Sequence, residues 1–411
     1  MSGAYLDHAA TTPMRPEARA AMAPLLGDVF GNPSGSHRWA RQARRHLDDA
    51  RDEVAEALGA QPSEVVFTSG GTEADNLAIV GVLGAVGGRA LCSSVEHHAV
   101  LAPVLASGGG TVAVDGLGRI DLEALAVALR ATGPQVSVVS AMAANNEVGT
   151  VQDLDEVATA VRDASPATVL HADAVAAAPW LDLARCTAAA DLVSVSGHKV
   201  GGPKGIGALV VRRGTPLAPL LRGGGQEHER RSGTPDVAGA VGFAAALGAT
   251  VLQRAETATR VEALRNRLLV GLLAAMPDMV VTSPVEAADR TPGTIHLCVP
   301  GVEREALLFL LDEAGVGASW GSSCASGATE ASHVLTALGV APELAAGALR
   351  LSLGWCSSDA DVDAALVAVP AAVTRLRPST SATVSTGPAD GAGERGGSVV
   401  PRPAALVVGP A

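Results

Sequence analysis

The chain has 411 residues, 48% of them hydrophobic, and a formal net charge of −12. That length exceeds what one hydrophobic core normally fills, so two domains are expected. The acidic balance speaks against a large nucleic-acid footprint, and no stable nucleic-acid binding is expected. The most apolar stretch, Val237 to Leu252, is broken by Gly239, Gly242 and Gly248 and falls short of a membrane span, so it reads as a buried helix. The start, MSGAYLDHAATTP, lacks a basic region followed by an apolar block, and a soluble cytoplasmic protein is the expectation. The cysteines, Cys92, Cys186, Cys298, Cys324 and Cys356, form no C-x-x-C pair; neither a disulfide scaffold nor a metal site is expected.

In chain order, short β-rich runs alternate with longer Ala- and Leu-rich helical patterns. Val65–Thr68 predicts a strand and Glu73–Val86 a helix. Val112–Val114 follows as a strand, Leu122–Arg130 as a helix after Asp121, and Val136–Ser140 as a strand. Asp155–Asp163 reads as helix, and Val169–Ala172, Leu192–Ser196 and Ile206–Val211 as strands. This rhythm belongs to an α/β fold with a mainly parallel sheet. A long helical pattern over Val241–Met276 links it to further elements. These are a strand at Gly293–Val299, helices at Glu303–Ala314 and Ser332–Leu338, a strand at Leu349–Leu353 and a helix at Ala360–Thr374. Beyond Pro378 the composition turns to Ser, Thr, Gly, Pro and Ala, and residues 378–411 are expected to be a disordered tail.

Several segments carry chemistry. In SVSGHKVGGPKGIG, Lys199 follows a strand and precedes glycines that permit close ligand approach; a lysine amine there suits a Schiff base with an aldehyde cofactor. Ser196 and His198 share the turn and suit phosphate oxygens, although a glycine-rich hairpin explains the turn equally. TSGGTEADN runs from strand into helix, so Gly71 and Thr72 present donors to an anion or simply cap a βα turn. It matches neither nucleotide-binding glycine fingerprint. Asp173, in HAD, suits a pyridinium partner or a strand-end cap. His97 is placed to stack on a planar ring, and Asn145 serves a turn or orients a ligand oxygen. Cys324, in WGSSCASGATE, sits in a polar, glycine-containing context that favours a nucleophile, whereas Cys92 and Cys298 lie in apolar strands. Arg350, inside the apolar run ALRLSLG, takes a substrate carboxylate or an internal salt bridge.

Together, YLDHAATTPMRPE, GNPSGSH, TSGGTEADN, EHHAV, NNEVGT, HADA, SGHKVGGPKGIG, RSGTPD, SSCASG and LRLSLG resemble, in order from Tyr5 to about Val373, the cysteine desulfurases of the aminotransferase class V family. The resemblance implies a fold type I pyridoxal 5'-phosphate enzyme. Its large domain (15–255) would hold a mainly parallel seven-stranded sheet, beside a smaller α/β domain (1–14 and 256–377). Lys199 would carry the cofactor, His97 stack on its ring and Asp173 pair with its nitrogen. Gly71, Thr72, Ser196 and His198 would hold its phosphate. Asn145 would lie near the ring hydroxyl and the substrate carboxylate, Asn32 would line the site, and Arg350 would bind the carboxylate of L-cysteine. Cys324 would form the persulfide, and Arg231 and Thr234 would reach across a homodimer to the neighbour's phosphate. A sulfur-acceptor protein, either an iron–sulfur scaffold or a sulfurtransferase, would complete the cycle. A selenocysteine lyase or related β-lyase, or an impaired member serving as an interaction protein, is the alternative. Two positions depart from the pattern: Ala176 stands where the family has a glutamine that hydrogen-bonds the cofactor's ring hydroxyl, and Trp355 where arginine is common.

Overall fold

The computed structural model describes residues 3–131, 135–321 and 332–377. After the short strand β1 (Ala4–Tyr5) come α1 (Pro16–Met22) and α2 (Arg38–Ala57). The alternating part follows: β2 (Val65–Thr68), α3 (Gly71–Val86), β3 (Arg89–Ser93), α4 (His98–Ala106), β4 (Gly110–Val112), α5 (Leu122–Arg130), β5 (Val136–Ser140), α6 (Leu154–Ala164), β6 (Val169–Asp173), α7 (Leu183–Cys186), β7 (Leu192–Ser196) and β8 (Gly207–Val211). Strands β2 to β8 form one seven-stranded sheet in the order β2-β8-β7-β6-β5-β3-β4. Only β8 runs antiparallel to its neighbours, so the expectation of a mainly parallel sheet holds. Strands β5 to β8 are buried at every position, as a sheet covered on both faces requires.

The helices start where the sequence gives them caps. Asp121 accepts from the Glu123 and Ala124 N–H groups, and Asp153 from those of Asp155 and Glu156. The sequence reading set no element over Arg38–Ala57. Its buried face there is built mainly of alanine, with Ala40, Ala43, Leu47, Ala50 and Val54 at helical spacing in a charge-rich segment. Strand β4 begins two residues before its expected place, because Gly110–Val112 is the stretch that pairs with Leu91–Ser93.

The rest comprises α8 (Val237–Ala275), β9 (Val280–Val281), β10 (Thr294–Cys298), α9 (Arg304–Glu313), β11 (Val316–Gly317), α10 (His333–Ala337), α11 (Pro342–Ala345), β12 (Ala348–Ser352) and α12 (Asp359–Leu376). A three-stranded antiparallel sheet has the order β12-β10-β9, and β1 pairs in parallel with β11. By length and composition α8 is one helix that could cross a membrane, yet half of its most apolar window is buried inside the fold. Its first half packs through Phe243, Ala244 and Leu247 into the core of the seven-stranded sheet. Its second half packs through Val261, Leu264, Leu268 and Leu272 into a separate core with Leu6, Ile295, Leu349 and Val369.

Candidate functional site

The C-terminal ends of β6 and β7 open into a cleft whose walls include Gly71, Thr72, Asp75, His97, Asp173, Ala176, His198, Lys199 and Arg350. That is where an open α/β sheet places its ligands. Lys199 closes the short helical turn after β7. Its Nζ donates to the Ala10 carbonyl at 2.9 Å and to that of Ala9, which holds the amine at the cleft wall. Asp173 ends β6, only 4% exposed, and accepts the Val175 N–H at 2.9 Å. Burial pushes its carboxyl up to about 6, with Lys199 pulling the other way.

At the start of α3 the chain is shaped for close approach. Gly70 has φ +146°, a conformation that favours glycine, and a Cβ at Gly71 would lie 2.8 Å from Val175 Cγ2. Beside this helix N-terminus, Ser196 is 1% exposed and its Oγ has no hydrogen-bond partner. An unsatisfied buried hydroxyl next to free helix N–H groups is a cradle that fits a phosphate. His198 lies nearby with Nδ1 3.1 Å from Thr11 Oγ1, and burial lowers its imidazole to about 4. His97 caps α4 by accepting the Ala99 N–H at 3.1 Å. Burial first, then Lys199, lowers it to about 4, so its ring meets the cleft uncharged. A planar pyridine with a phosphate arm and an aldehyde fits this donor set: amine, buried carboxyl, neutral imidazole and anion cradle.

The other expected residues divide between the cleft and its surroundings. The Asn145 amide is spent on the turn, donating to Val95 O at 3.0 Å and accepting from the Glu147 and Val148 N–H groups at 2.9 Å. Asn146, the second amide of the NN pair, lines the cleft, and both amides line the adjoining chamber. Asn32 is exposed and accepts the Ser34 N–H, so within one chain it does not reach the cleft. Arg231 pairs with Glu73 at 2.8 Å, just past the phosphate cradle, and Thr234 is exposed. Arg350 is 1% exposed and forms the internal salt bridge, with Nη2 2.8 Å from Asp7 Oδ1. Nη1 donates to the Asn146 and Gly321 carbonyls, while Nε has no partner among the described residues.

Cys324 lies outside the described residues, as does the tail from Pro378. Of the described residues next to it in sequence, Gly321 accepts from Arg350 and Ser332 donates to Glu147 at 2.5 Å. Among the described cysteines none lines the cleft. Cys92 and Cys298 are fully buried with thiols pushed up by burial, and Cys356 sits 3.9 Å from His8 Nε2 outside it. Sequence reasoning passed over Asp75, Glu96, Glu147 and Asn146 as cleft or near-cleft residues. Asp75 carried a usable signal, an acid within the apolar helix ADNLAIV.

The model for the aminotransferase class-V family matches residues 4–365. An IscS-like cysteine desulfurase of Mycobacterium tuberculosis is 44% identical over 388 residues, covering 91% of this chain and 97% of that protein. Cysteine desulfurase IscS of Dictyoglomus turgidum is 38% identical, over 91% of this chain and 95% of its own. Among solved structures, a NifS-like protein superposes with a TM-score of 0.83 at 32% identity, covering 91% of this chain and all of that one. SspA, solved in complex with cysteine, gives 0.71 at 30% identity, over 86% of this chain and 100% of its own.

Proposed function

This chain belongs to the aminotransferase class-V family, among its cysteine desulfurases, and we propose that it converts L-cysteine to L-alanine with pyridoxal 5'-phosphate held at Lys199. The observation that carries the assignment is the meeting of Lys199, Asp173 and Gly71 in one cleft, with the unpartnered Ser196 hydroxyl beside Gly71. When bound, the cofactor supplies an electron sink for the substrate's α-carbon. Asp173 would hold its ring nitrogen protonated, His97 would cover its face, and Gly71, Thr72, Ser196 and His198 would hold its phosphate.

Arg350 orients the substrate carboxylate through its remaining donor. The Lys199 amine moves the α-proton. The Cys324 thiolate attacks the substrate sulfur; the substrate's C–S bond breaks, an S–S bond forms, and a proton completes the methyl group of alanine. The sum is L-cysteine plus the Cys324 thiol giving L-alanine plus the Cys324 persulfide. An acceptor protein, such as an iron–sulfur scaffold or sulfurtransferase, then takes the sulfane sulfur.

The working unit is a cytoplasmic homodimer in which Arg231 and Thr234 face the neighbour's phosphate. Because α8 feeds two cores, we set the division between a large domain (15–255) and a small one (1–14 and 256–377) inside it. The test is turnover of L-cysteine by the purified protein, with alanine and sulfide measured beside the visible absorption of the cofactor. Binding of the cofactor without alanine release would overturn the activity. Comparing L-selenocysteine separates the lyase alternative.

A further inference from the structure

The wall behind Asp173 holds more acid than that chemistry uses. Asp75 from α3, Glu96 from the turn before α4 and Asp173 from β6 meet there with exposures of 1%, 0% and 4%. Few donors serve them. Asp173 accepts the Val175 N–H at 2.9 Å and Glu96 Oε1 the Met142 N–H at 2.6 Å, while Ser194 is the side-chain hydroxyl that favours the charged form of Asp75. Among the described residues, Asp75 Oδ1 and Glu96 Oε2 have no hydrogen-bond partner.

The groups facing this cluster offer little charge to balance three carboxylates. His171 Nε2 is 3.6 Å from Asp75 Oδ1, but the ring hangs between the Ser140 and Ser194 hydroxyls at 2.8 and 2.9 Å, and burial holds it uncharged, down to about 3. Cys92 faces Glu96 with a thiol pushed up by burial, and His333 bonds only the Glu96 carbonyl. Lys199 is the cation that acts on Asp173. Asp75, Glu96 and Asp173 act on one another electrostatically in a low-dielectric wall, and three negative charges there cannot all persist beside the Lys199 ammonium.

We propose that Asp75 and Glu96 are proton-holding positioning residues that stay neutral and leave Asp173 as the single carboxylate presented to the cofactor's ring nitrogen. The proposal rests on the cofactor reading above. Burial and the charge of Asp173 both push Asp75 and Glu96 well above the usual carboxylate range, so Asp173 gives up its proton first. Were either of the others ionised, it would repel Asp173 into taking that proton back.

Asp75→Asn and Glu96→Gln imitate the neutral acids and are expected to fold. In the cofactor-free protein at pH 7, the infrared spectrum of the wild type shows the carbonyl stretch of protonated carboxylic acids, and each substitution removes one component. Stability gives an independent reading. A carboxyl raised in the fold binds a proton that the unfolded chain releases, so stability falls as pH rises towards the folded-state value. Each amide variant removes one proton from that dependence, and its folding constant falls tenfold less per pH unit in that window. A wild-type spectrum without a protonated-acid band, or variants with the wild-type pH slope, would overturn the proposal. Neither measurement needs the cofactor. A failed cofactor reading is recognised separately, by reconstituted wild type without a visible cofactor band.

Discussion

Two buried acid sites in this molecule are built on opposite plans. Glu227 is satisfied on every side: Arg51 meets its two oxygens at 2.7 Å each, and the Phe67 N–H adds a third bond at 2.8 Å. Glu227 and the two residues after it, His228 and Glu229, have positive φ of 49°, 58° and 63°. The wall of Asp75, Glu96 and Asp173 is equally dry, yet two of its oxygens and the nearby Ser196 hydroxyl are unpartnered. A fold that completes one buried acid and leaves another set incomplete has reserved the second for something the chain itself does not supply.

The largest expected effects lie on the incomplete side. Lys199→Ala and Cys324→Ser should each lower turnover on the order of 10³-fold, for different reasons. The lysine variant loses the covalent hold on the cofactor. The cysteine variant keeps the visible band and still binds L-cysteine, but accumulates no protein-bound sulfane sulfur. Cys356→Ser should behave as wild type, because Cys356 lies outside the cleft. A Cys324 variant with normal sulfane sulfur beside an inactive Cys356 variant would reverse the assignment.

The completed site should show its effect in stability alone. Arg51→Leu strands the Glu227 carboxylate and also removes the bond to the Val65 carbonyl and the stacking on Phe67 at 4.7 Å. A loss of about 3–5 kcal/mol is expected in denaturant unfolding of the cofactor-free protein. A loss below 1 kcal/mol would erase the contrast between the two sites.

Asp173→Asn should act in the opposite sense. The Asp173 carboxyl stands at about 6 in the fold, above its ordinary unfolded value. The wild type therefore binds a proton in the folded state that the unfolded chain has lost, and it loses stability as pH rises from about 4 through 6. The variant escapes that loss. Without cofactor it should be more stable than wild type by on the order of 2–3 kcal/mol at pH 8 and equal below pH 4. It should also release the cofactor readily. Thermal unfolding across pH, with and without cofactor, checks both halves.

The sheet and most helices were legible because apolar strands and capped helices carry strong local signals. Asp121 and Asp153 mark their helices unaided. Helix α2 was hidden because its buried face is mostly alanine, too weakly apolar to stand out among arginines and aspartates. Lys199, Asp173 and His97 were legible through their motifs, and the cleft brings all of them together. The choice between Asn145 and Asn146 was not, since only the fold of the turn decides which amide the backbone consumes. Nor was the acid wall, whose members lie on three separate segments and converge only when β3, β6 and α3 pack.

The smallest effect concerns a group that both plans leave out. Ala176 lines the cleft and also a neighbouring chamber bounded by Trp180, Trp355 and Arg15. Its methyl group can donate no hydrogen bond, and Asn145 cannot replace it because its amide is already spent. Asn146 lines both spaces and carries an amide that can supply a donor. Ala176→Gln should therefore add a bond to the cofactor's ring oxygen worth about 1 kcal/mol, slowing cofactor release several-fold while leaving the fold unchanged. If Asn146 fills the role in the wild type, Asn146→Ala should weaken cofactor retention by a similar amount. In the Ala176→Gln background the same change should cost less, because the two amides serve one acceptor. Strictly additive effects in that double-mutant cycle would show that the two side chains address different groups, and Asn146 would then be assigned to the substrate carboxylate beside Arg350.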